Sequence, residues 1–413
     1  MIDIRLAREE PDALRRALAR KGAAELFDEL IRLDSSWRAL TSRVDELRAR
    51  TRPKGRPSPE ELAALQQVKE ELRAAEAELA ELDAQRSDLL TRIPNPPAGD
   101  IPDGSSDEDA AELRRVGTPP AFAFEARDHV ELGGFELDRG ARLSGSRFAY
   151  RRGAAALLEL AMYRYALDQL VGMGFEVLLP PVLVREEAMY GTGFLPTEEA
   201  NLYRLDSDEL YLTGTSEVAL AAFHQGETLE EEQLPARYAG YSTCFRREAG
   251  AAGRDTRGVF RVHQFDKVEM FVYSTPEASP DEHERLLGIE EELVSGLGLA
   301  YRVVCTAAGD LGPSAAKKYD IEAWIPSQGR YREITSCSNT TDYQARRLNI
   351  RYRDSERQLR VVHTLNGTAM TARWLIALME TYQDSGGEVA VPEILFAHGA
   401  PHRLPAAASS NDL

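Results

Sequence analysis

The chain is poor in cysteine and lacks long apolar runs. Its 413 residues include three cysteines, Cys244, Cys305 and Cys337, with no CxxC spacing among them. This argues against a disulfide framework or a thiolate metal site and predicts structural thiols. Charged residues interrupt the longest apolar stretches, such as AAALLELAMYRYAL, well before the roughly 20 positions of a membrane span. The N-terminus has no apolar core of the kind a secretory signal requires, so we expect a cytoplasmic protein with no membrane partner.

Positive charge is also scarce. Lysine and arginine number 50 against 68 aspartates and glutamates, a formal net charge of −18 at pH 7. This argues against a protein that coats nucleic acid without specificity, but a local basic patch still acts alone because salt screens charges beyond about 10 Å. One such patch, RARTRPKGR, carries Arg48, Arg50, Arg52, Lys54 and Arg56 without an acid. A solvated loop and a nucleic-acid contact both fit this patch.

Apolar residues flank the basic patch at heptad spacing. Before it stand Leu26, Leu30, Leu33, Trp37, Leu40, Val44 and Leu47; after it stand Leu65, Val68, Leu72, Ala75, Leu79, Leu82, Arg86 and Leu89, with Arg86 as a polar interruption. We predict an antiparallel helical hairpin with a turn at RPKGRPSP, Ser58 or its neighbour capping a second helix roughly 45 Å long. An arm that projects into solvent and a hairpin folded onto a globular body are both open at this point.

Composition divides the chain into three segments. Residues 1–94 form the predicted helical N-terminal domain, and residues 95–114, rich in Pro, Gly, Ser and acids, a linker. Residues 115–413 alternate short apolar strands with helices and indicate one large mixed domain. The tail PHRLPAAASSNDL is predicted to be disordered.

Several stretches of the large domain carry chemistry-bearing residues. In FRREAGAAGRDTRGVFRVHQFDKVEMF, alternation predicts two strands that carry Arg246, Glu248, Arg261, Lys267 and Glu269, joined by a mobile Gly/Arg loop. GTSE is either a polar site turn or an ordinary helix cap. With YREITSCSNTTDYQARR and TLNGTAMTARWLIALMETYQ, these stretches supply arginines for phosphates, acids for magnesium or an ammonium group, and small residues for close approach.

In this order, the stretches resemble the motifs of the bacterial-type seryl-tRNA synthetases, a family of class II aminoacyl-tRNA synthetases. GFEVLLPP is similar to motif 1, FRREAGAAGRDTRGVFRVHQFDKVE to motif 2 and LNGTAMTARWLIALMETYQ to motif 3, while GTSE, EITSCSNTTDYQARR and the helical arm resemble the serine family in particular. The resemblance implies an α+β fold: an antiparallel sheet flanked by helices and preceded by an N-terminal antiparallel helical hairpin, or coiled-coil arm.

The resemblance also implies an ATP site. Arg246 would meet the α-phosphate and the serine carboxylate, Arg373 the γ-phosphate, and these two arginines would be the catalytic residues. Glu248 would bind the adenine, on which Phe265 would stack. The residues implied for ATP are Arg246, Arg247, Glu248, Val262, Phe265, Glu333, Ile334, Thr335, Ser336 and Arg373, with Glu333 and Ser336 as ligands of Mg²⁺ and no zinc.

The implied serine site adjoins the ATP site. Thr215, Glu217 and Glu269 would hold the ammonium group, and Thr368, beside Asn366, would recognise the hydroxyl. The full set implied for serine is Thr215, Ser216, Glu217, Arg246, Glu269, Asn366 and Thr368. We expect catalysis by positioning and charge neutralisation, with His263 as a structural residue instead of a base.

The implied partners are L-serine, tRNA-Ser and a second copy of the chain. The tRNA would be bound through its long variable arm and its acceptor end, with Arg48, Arg50, Arg52, Lys54 and Arg56 on the RNA and tRNA-Sec as a further candidate substrate. Relatives that load a carrier protein or feed a biosynthetic pathway are the alternative; they commonly lack the arm or place a cysteine and zinc in the pocket. A catalytically dead paralogue would have lost the motif arginines, which are intact here.

Overall fold

A computed structural model describes residues 1–52, 58–249, 255 and 257–407. Contacts divide the chain into two compact units, Met1–Pro97 and Ala98–Leu413. The three-segment division by function stays a prediction; residues 95–114 include the start of the first strand of the second unit. Within the described ranges, no helix has the length and apolar character needed to cross a membrane.

The first unit is helical. Its helices are α1 (Ile4–Glu9), α2 (Pro11–Ala19), α3 (Ala24–Arg50) and α4 (Pro59–Arg92). The predicted hairpin is confirmed, because α3 and α4 pack together through Leu40, Val44, Leu47, Val68 and Ala75. The 34 residues of α4 make a helix of about 51 Å, slightly longer than predicted.

Ser58 caps α4, as the sequence predicts. Its Oγ accepts a hydrogen bond from the Glu61 amide at 3.2 Å, and Glu61 Oε2 accepts one from the Ser58 amide at 2.6 Å. This reciprocal capping box satisfies amide donors that have no partner inside the helix.

The second unit mixes helices and strands. Its helices are α5 (His129–Leu132), α6 (Leu137–Ser144), α7 (Ala154–Gly172), α8 (Glu186–Thr192), α9 (Glu217–Ala221), α10 (Ser279–Gly296), α11 (Tyr343–Leu348) and α12 (Ala372–Thr381). Its strands are β1 (Ala111–Val116), β2 (Phe135–Glu136), β3 (Tyr150–Arg151), β4 (Glu176–Leu178), β5 (Leu183–Arg185), β6 (Tyr203–Leu205), β7 (Leu210–Leu212), β8 (Thr228–Glu230), β9 (Ala236–Phe245), β10 (Gln264–Ser274), β11 (Tyr301–Cys305), β12 (Lys317–Ile325), β13 (Arg330–Thr341), β14 (Arg351–Arg353), β15 (Leu359–Val361), β16 (His363–Thr371), β17 (Val389–Ala390) and β18 (Arg403–Leu404).

One eight-stranded sheet organises this unit. Its strand order is β1-β11-β12-β13-β16-β10-β9-β4, and every neighbouring pair is antiparallel except β4 with β9. Helices α7, α10 and α12 contact the sheet, with which they share an apolar core. On β10, Val268, Met270 and Val272 belong to this core, so the alternate residues Lys267 and Glu269 lie on the opposite face, while Phe265, near the start of the strand, packs against the core. The predicted α+β fold is confirmed.

The structure corrects the predicted extent of the charged hairpin. β9 ends at Phe245 and β10 begins at Gln264, so Arg246, Glu248 and Arg261 lie outside the strands. The backbone leaves the extended conformation here, with a φ of 51° at Glu248, a left-handed value that no strand adopts. Residues 250–254 and 256 of the predicted mobile loop lie outside the described residues.

Two further predictions concern the cysteines and the C-terminal tail. Cys244, Cys305 and Cys337 are buried and free, as structural thiols should be. The prediction of a wholly disordered tail is wrong for its first part, because β18 pairs with β17 through Leu404 and Val389, whose apolar side chains are buried. Residues 408–413 lie outside the described part of the chain.

Candidate active site

A cavity of about 530 Å³ lies over the polar face of the sheet. Its wall brings together most of the residues predicted for ATP and serine: Thr215, Glu217, Arg246, Glu248, Val262, Phe265, Glu269, Glu333, Ile334, Thr335, Ser336, Asn366, Thr368 and Arg373. Two predicted residues, Ser216 and Arg247, are not part of this wall. Ser216 Oγ donates to Gly240 O at 3.5 Å, and the Arg247 guanidinium lies 5.9 Å from the centre of the Tyr203 ring.

The GTSE turn is both a helix start and a wall of the cavity. Thr215 Oγ1 accepts a hydrogen bond from the Glu217 amide at 3.1 Å, which satisfies a donor at the start of α9. The same oxygen accepts a hydrogen bond from Lys267 Nζ at 2.7 Å. The motif is therefore both a helix start and part of the site, and the hydrogen bond from the Glu217 amide holds Thr215 in place for the cavity.

Lys267 is a cavity residue that the predicted site lacks. Its ammonium group pairs with Glu269, and both side chains are buried. The sequence could have placed Lys267 in the site, because it lies midway between Phe265 and Glu269 and alternate residues of a strand share one face. Lys267 compensates one of the two buried carboxylates at this end of the cavity.

Glu217 is the second of these carboxylates. Its Oε1 accepts hydrogen bonds from Gln344 Nε2 at 2.7 Å and from Asn366 Nδ2 at 3.1 Å. Burial, reinforced by the nearby charge of Glu269, raises the pKa of Glu217 from 4.5 to about 7. A cationic ligand at this position would favour the ionised form, so the carboxyl suits an ammonium group.

A β-bulge brings Thr368 next to Glu269. β10 and β16 pair Val268 with Met370 but Glu269 with Thr368, so Ala369 is an extra residue on β16. Thr368 Oγ1 donates a hydrogen bond to Glu269 Oε2 at 3.3 Å. The hydroxyl and the carboxylate predicted to contact serine thus lie side by side.

A second bulge aligns Glu333 with Ser336. β12 and β13 pair Ile321 with Thr335 but Glu322 with Glu333, which leaves Ile334 as an extra residue. In a regular strand, residues three apart face opposite sides, whereas this bulge turns Glu333 and Ser336 to the same side.

The charge of Glu333 is set by its cationic neighbours. Desolvation opposes ionisation, but Lys318 and Arg373 outweigh it and lower the pKa of Glu333 to about 2. Arg373 Nη1 donates to Glu333 Oε2 at 3.1 Å. An ionised carboxylate beside a hydroxyl is a hard-oxygen pair of the kind that Mg²⁺ accepts. In the described ranges of the chain, no three His, Cys, Asp or Glu side chains cluster as a metal site.

Arginines and aromatic rings form another part of the cavity wall. Arg246 Nε donates to Gly214 O at 3.0 Å, and its guanidinium lies 5.3 Å from the centre of the Phe265 ring. The Arg373 guanidinium lies 5.0 Å from the centre of the Phe260 ring. Phe260 is a residue of the cavity wall that the predicted site lacks. Both arginines are therefore oriented by contacts with residues of the cavity wall, of which they are themselves part.

Two other predicted residues have definite partners. Glu248 Oε2 accepts a hydrogen bond from Arg261 Nη1 at 2.6 Å, so binding of adenine by Glu248 would occur beside this ion pair. His263 contacts the main chain, its Nδ1 lying 2.8 Å from Arg246 O, which agrees with the structural role expected for it.

The predicted RNA-binding arginines lie at the end of α3. Arg48 Nη2 pairs with Glu76 Oε1 of α4 at 2.9 Å, while Arg50 and Arg52 are exposed. Lys54 and Arg56 lie outside the described residues.

The sheet and the residues that its central strands present define a class II aminoacyl-tRNA synthetase core. Residues 202–382 match the family model of the "tRNA synthetase class II core domain (G, H, P, S and T)". Residues 1–97 match that of the "Seryl-tRNA synthetase N-terminal domain". The chain is 50% identical over 408 residues to the serine–tRNA ligase of Thermobifida fusca (strain YX), and the match covers 96% of both chains. The chain belongs to the seryl-tRNA synthetase family, as its motifs predicted.

Solved structures show the same similarity over the whole chain. The seryl-tRNA synthetase of Pyrococcus horikoshii complexed with ATP has a TM-score of 0.93 at 38% identity, covering 99% of this chain and 100% of that one. The cytoplasmic serine–tRNA ligase of Naegleria fowleri in complex with AMP has a TM-score of 0.90 at 33% identity, covering 99% of each chain.

Proposed function

We propose that the chain activates L-serine with ATP and transfers the seryl group to the 3′ end of tRNA-Ser. The observation that carries the proposal is the composition of one cavity, whose wall contains Thr215 with the carboxylates of Glu217 and Glu269 and also the guanidinium groups of Arg246 and Arg373. A zwitterionic amino acid and a nucleoside triphosphate need these two environments side by side. The two similar structures are complexes with ATP and with AMP, which supports a nucleotide as a ligand of this chain.

The chemistry follows from positioning and charge. The serine carboxylate, already ionised at neutral pH, attacks the α-phosphorus of ATP and displaces pyrophosphate to form seryl-adenylate. Arg246 neutralises the two anions that must approach each other, and Arg373 holds the far phosphates. A terminal ribose hydroxyl of the tRNA then attacks the carbonyl carbon and releases AMP. Glu217 and Glu269 hold the ammonium group through both steps.

Magnesium belongs to this proposal through Glu333 and Ser336. Their shared side of β13 and the low pKa of Glu333 fit a hard cation. When bound, Mg²⁺ neutralises phosphate charge and helps pyrophosphate to leave. We expect magnesium to be the only metal required; stoichiometric zinc in the purified protein, lost together with activity on chelation, would argue for a zinc-dependent relative.

A homodimer is the assembly that the surface supports. α7 exposes Leu157, Leu160 and Val171, and Leu179 is exposed just beyond β4, an edge strand of the large sheet. Exposed apolar side chains beside an unpaired strand edge are typical of a protein interface. The full proposal places the enzyme in the cytoplasm, with tRNA-Ser bound through its long variable arm and acceptor end and tRNA-Sec as a further candidate substrate.

Serine-dependent ATP–pyrophosphate exchange tests the proposal. We expect strong preference for serine over alanine, by up to about 10⁴-fold, because alanine would leave Thr368 and Glu269 with unpaired polar groups. Threonine should be excluded less strongly, since only the fit of one methyl group opposes it. Equal exchange rates with serine and alanine would refute the assigned hydroxyl site. Exchange without charging of tRNA-Ser would instead favour the alternative, a relative that serves a carrier protein or a biosynthetic pathway.

A further inference from the structure

A buried histidine lies behind the cavity, where it joins three segments that are distant in sequence. His129 is the first residue of α5 and is 3% exposed. Its Nδ1 lies 3.1 Å from Glu380 Oε1 of α12, and its amide donates to the same oxygen at 3.1 Å. On the other side of the ring, the Val259 amide donates to His129 Nε2 at 3.1 Å.

These contacts determine the tautomer of His129. A backbone amide can only donate, so Nε2 must be the acceptor and Nδ1 must carry the proton that it shares with Glu380. The charged groups around the ring are Glu380 from α12 and Asp128 beside it on the chain, which is paired with Arg257. The neutral ring thus serves as a two-sided connector, a donor to α12 and an acceptor from the chain that leads into β10.

Glu380 extends the connection to a third element. It is fully buried, and its Oε2 accepts a hydrogen bond from the Ser327 amide, between β12 and β13, at 3.1 Å. Both carboxylate oxygens therefore have donors, as a buried charge requires. The group ties α5, α12 and the β12–β13 turn to one point.

The held segment leads directly into the wall of the cavity. Val259 precedes Phe260, whose ring centre lies 4.0 Å from the Arg332 guanidinium and 5.0 Å from that of Arg373. The main chain at Gly258 lies too close to the His129 ring for a side chain, because a Cβ there would lie 2.1 Å from His129 Nε2. The φ of +73° at this residue also favours glycine.

We propose that His129 is a positioning residue for adenylate formation. It fixes the main chain at Val259, so that the Phe260 ring holds the Arg373 guanidinium at the phosphate end of the cavity. The inference rests on the proposed function, because the role of Arg373 toward ATP is part of that function. The serine end depends on α9, β10 and β16, which His129 does not contact through these hydrogen bonds.

Two substitutions separate the two sides of the ring. In His129→Gln, the side-chain amide oxygen reaches the place of Nε2 and accepts from Val259, while the side-chain link to Glu380 is lost and the main-chain amide of residue 129 still donates to Glu380. In His129→Asn, the amide nitrogen takes the place of Nδ1 and donates to Glu380, but the side chain is too short to reach Val259. His398→Asn is the control, because His398 also pairs with a carboxylate, Asp168, at 3.0 Å, yet lies outside the wall of the cavity.

The measurements are KM for ATP and for serine in pyrophosphate exchange, with hydrogen exchange of the peptide 257–262. We expect His129→Asn to raise KM for ATP about tenfold, the effect of losing one buried hydrogen bond, with KM for serine unchanged and faster amide exchange at Val259. His129→Gln should stay within about threefold of the parent in KM for ATP and in amide exchange at Val259. His398→Asn should have the values of the parent.

Two results would overturn the inference. One is equal amide exchange at 257–262 in His129→Asn and His129→Gln, and the other is a parallel rise of KM for ATP and for serine. A parent enzyme without serine-dependent exchange would refute the proposed function instead, and amide exchange would still decide whether His129 holds Val259.

Discussion

Arg86 occupies the apolar stripe of α4, and its Nε donates a hydrogen bond to Asp34 Oδ1 of α3 at 2.8 Å. Asp34 is 2% exposed and also accepts hydrogen bonds from Arg8 Nε and Nη2 at 2.7 and 2.8 Å. The Arg86 guanidinium lies 4.6 Å from the centre of the Trp37 ring. The polar interruption in the heptads is therefore one of the three members of an ionic cluster around the buried Asp34, which favours a single register of the hairpin.

Arg86→Ala should destabilise the hairpin by about 3 kcal/mol, because it leaves the buried Asp34 carboxylate with Arg8 as its remaining arginine partner. Hydrogen exchange in α3 and α4 of the full chain gives the free energy of opening. Arg92→Ala is the control: it removes an exposed pair with Asp88 at 3.3 Å and should change the free energy by less than about 0.5 kcal/mol. Equal losses in the two variants would mean that the cluster does not determine the register.

Arg246→Ala should collapse adenylate formation while the fold is retained. In the proposed reaction the guanidinium lies between the anionic groups that react, and removing such an interaction costs on the order of 2 to 4 kcal/mol in the transition state. Pyrophosphate exchange should fall accordingly, with circular dichroism unchanged. Arg204→Ala, which removes an exposed arginine paired with Asp206, is the matched control. Near-normal exchange in Arg246→Ala would assign this role to another residue, such as Arg247.

Serine binding should strengthen as pH rises through about 7, where Glu217 ionises. A carboxylate attracts the serine ammonium group and a neutral carboxyl does not, so KM for serine should fall between roughly pH 6 and pH 8. The contribution of Glu217 to the free energy of unfolding changes in the opposite direction, because it falls as pH rises. Between pH 4.5 and about 7 the folded state retains a proton that the unfolded state has lost, so this group lowers the free energy of unfolding as pH rises.

Glu217→Gln tests both effects. The variant should bind serine weakly with a KM that no longer changes near pH 7, and the pH dependence of unfolding should flatten in the same interval. A KM for serine that falls near pH 7 in the variant as it does in the parent would assign the titration to a different group.

Deletion of Thr41 to Asp83 should separate activation from charging. The deletion spares Asp34 and Arg86 and so keeps the ionic cluster at the base of the hairpin. Serine-dependent exchange should stay nearly unchanged, while tRNA charging should be almost abolished, because contacts to phosphates position an RNA by its shape. Charging at full rate would refute a role of the α3–α4 hairpin in binding tRNA.

Neutralising Arg50 and Arg52 is the milder form of this test. For each tRNA phosphate that the α3–α4 hairpin no longer binds, the plot of log affinity for tRNA against log salt concentration should flatten by roughly one unit of slope. An unaltered slope would mean that these arginines only keep the hairpin end solvated.

The sequence by itself determined the elements and the chemistry that each carries. Heptads define a helical hairpin because a helix repeats its faces every 3.6 residues, and alternation places Phe265, Lys267 and Glu269 on one face of a strand. A local pattern of this kind is visible without knowledge of any neighbour. The motif residues were predicted from the resemblance of short segments to family motifs, which can likewise be recognised without knowledge of any neighbour.

Only the tertiary structure decided which residues of different elements are neighbours. Bulges at Ile334 and Ala369 turn Glu333 to the side of Ser336 and Thr368 toward Glu269, and a bulge is a property of two paired strands. The pKa of Glu217 depends on burial beside Glu269, which lies on another element of the fold. His129 meets Val259 across 130 positions of sequence. Periodicity within one element reports which face a residue occupies, whereas distances between elements follow from register and packing, which no single segment contains.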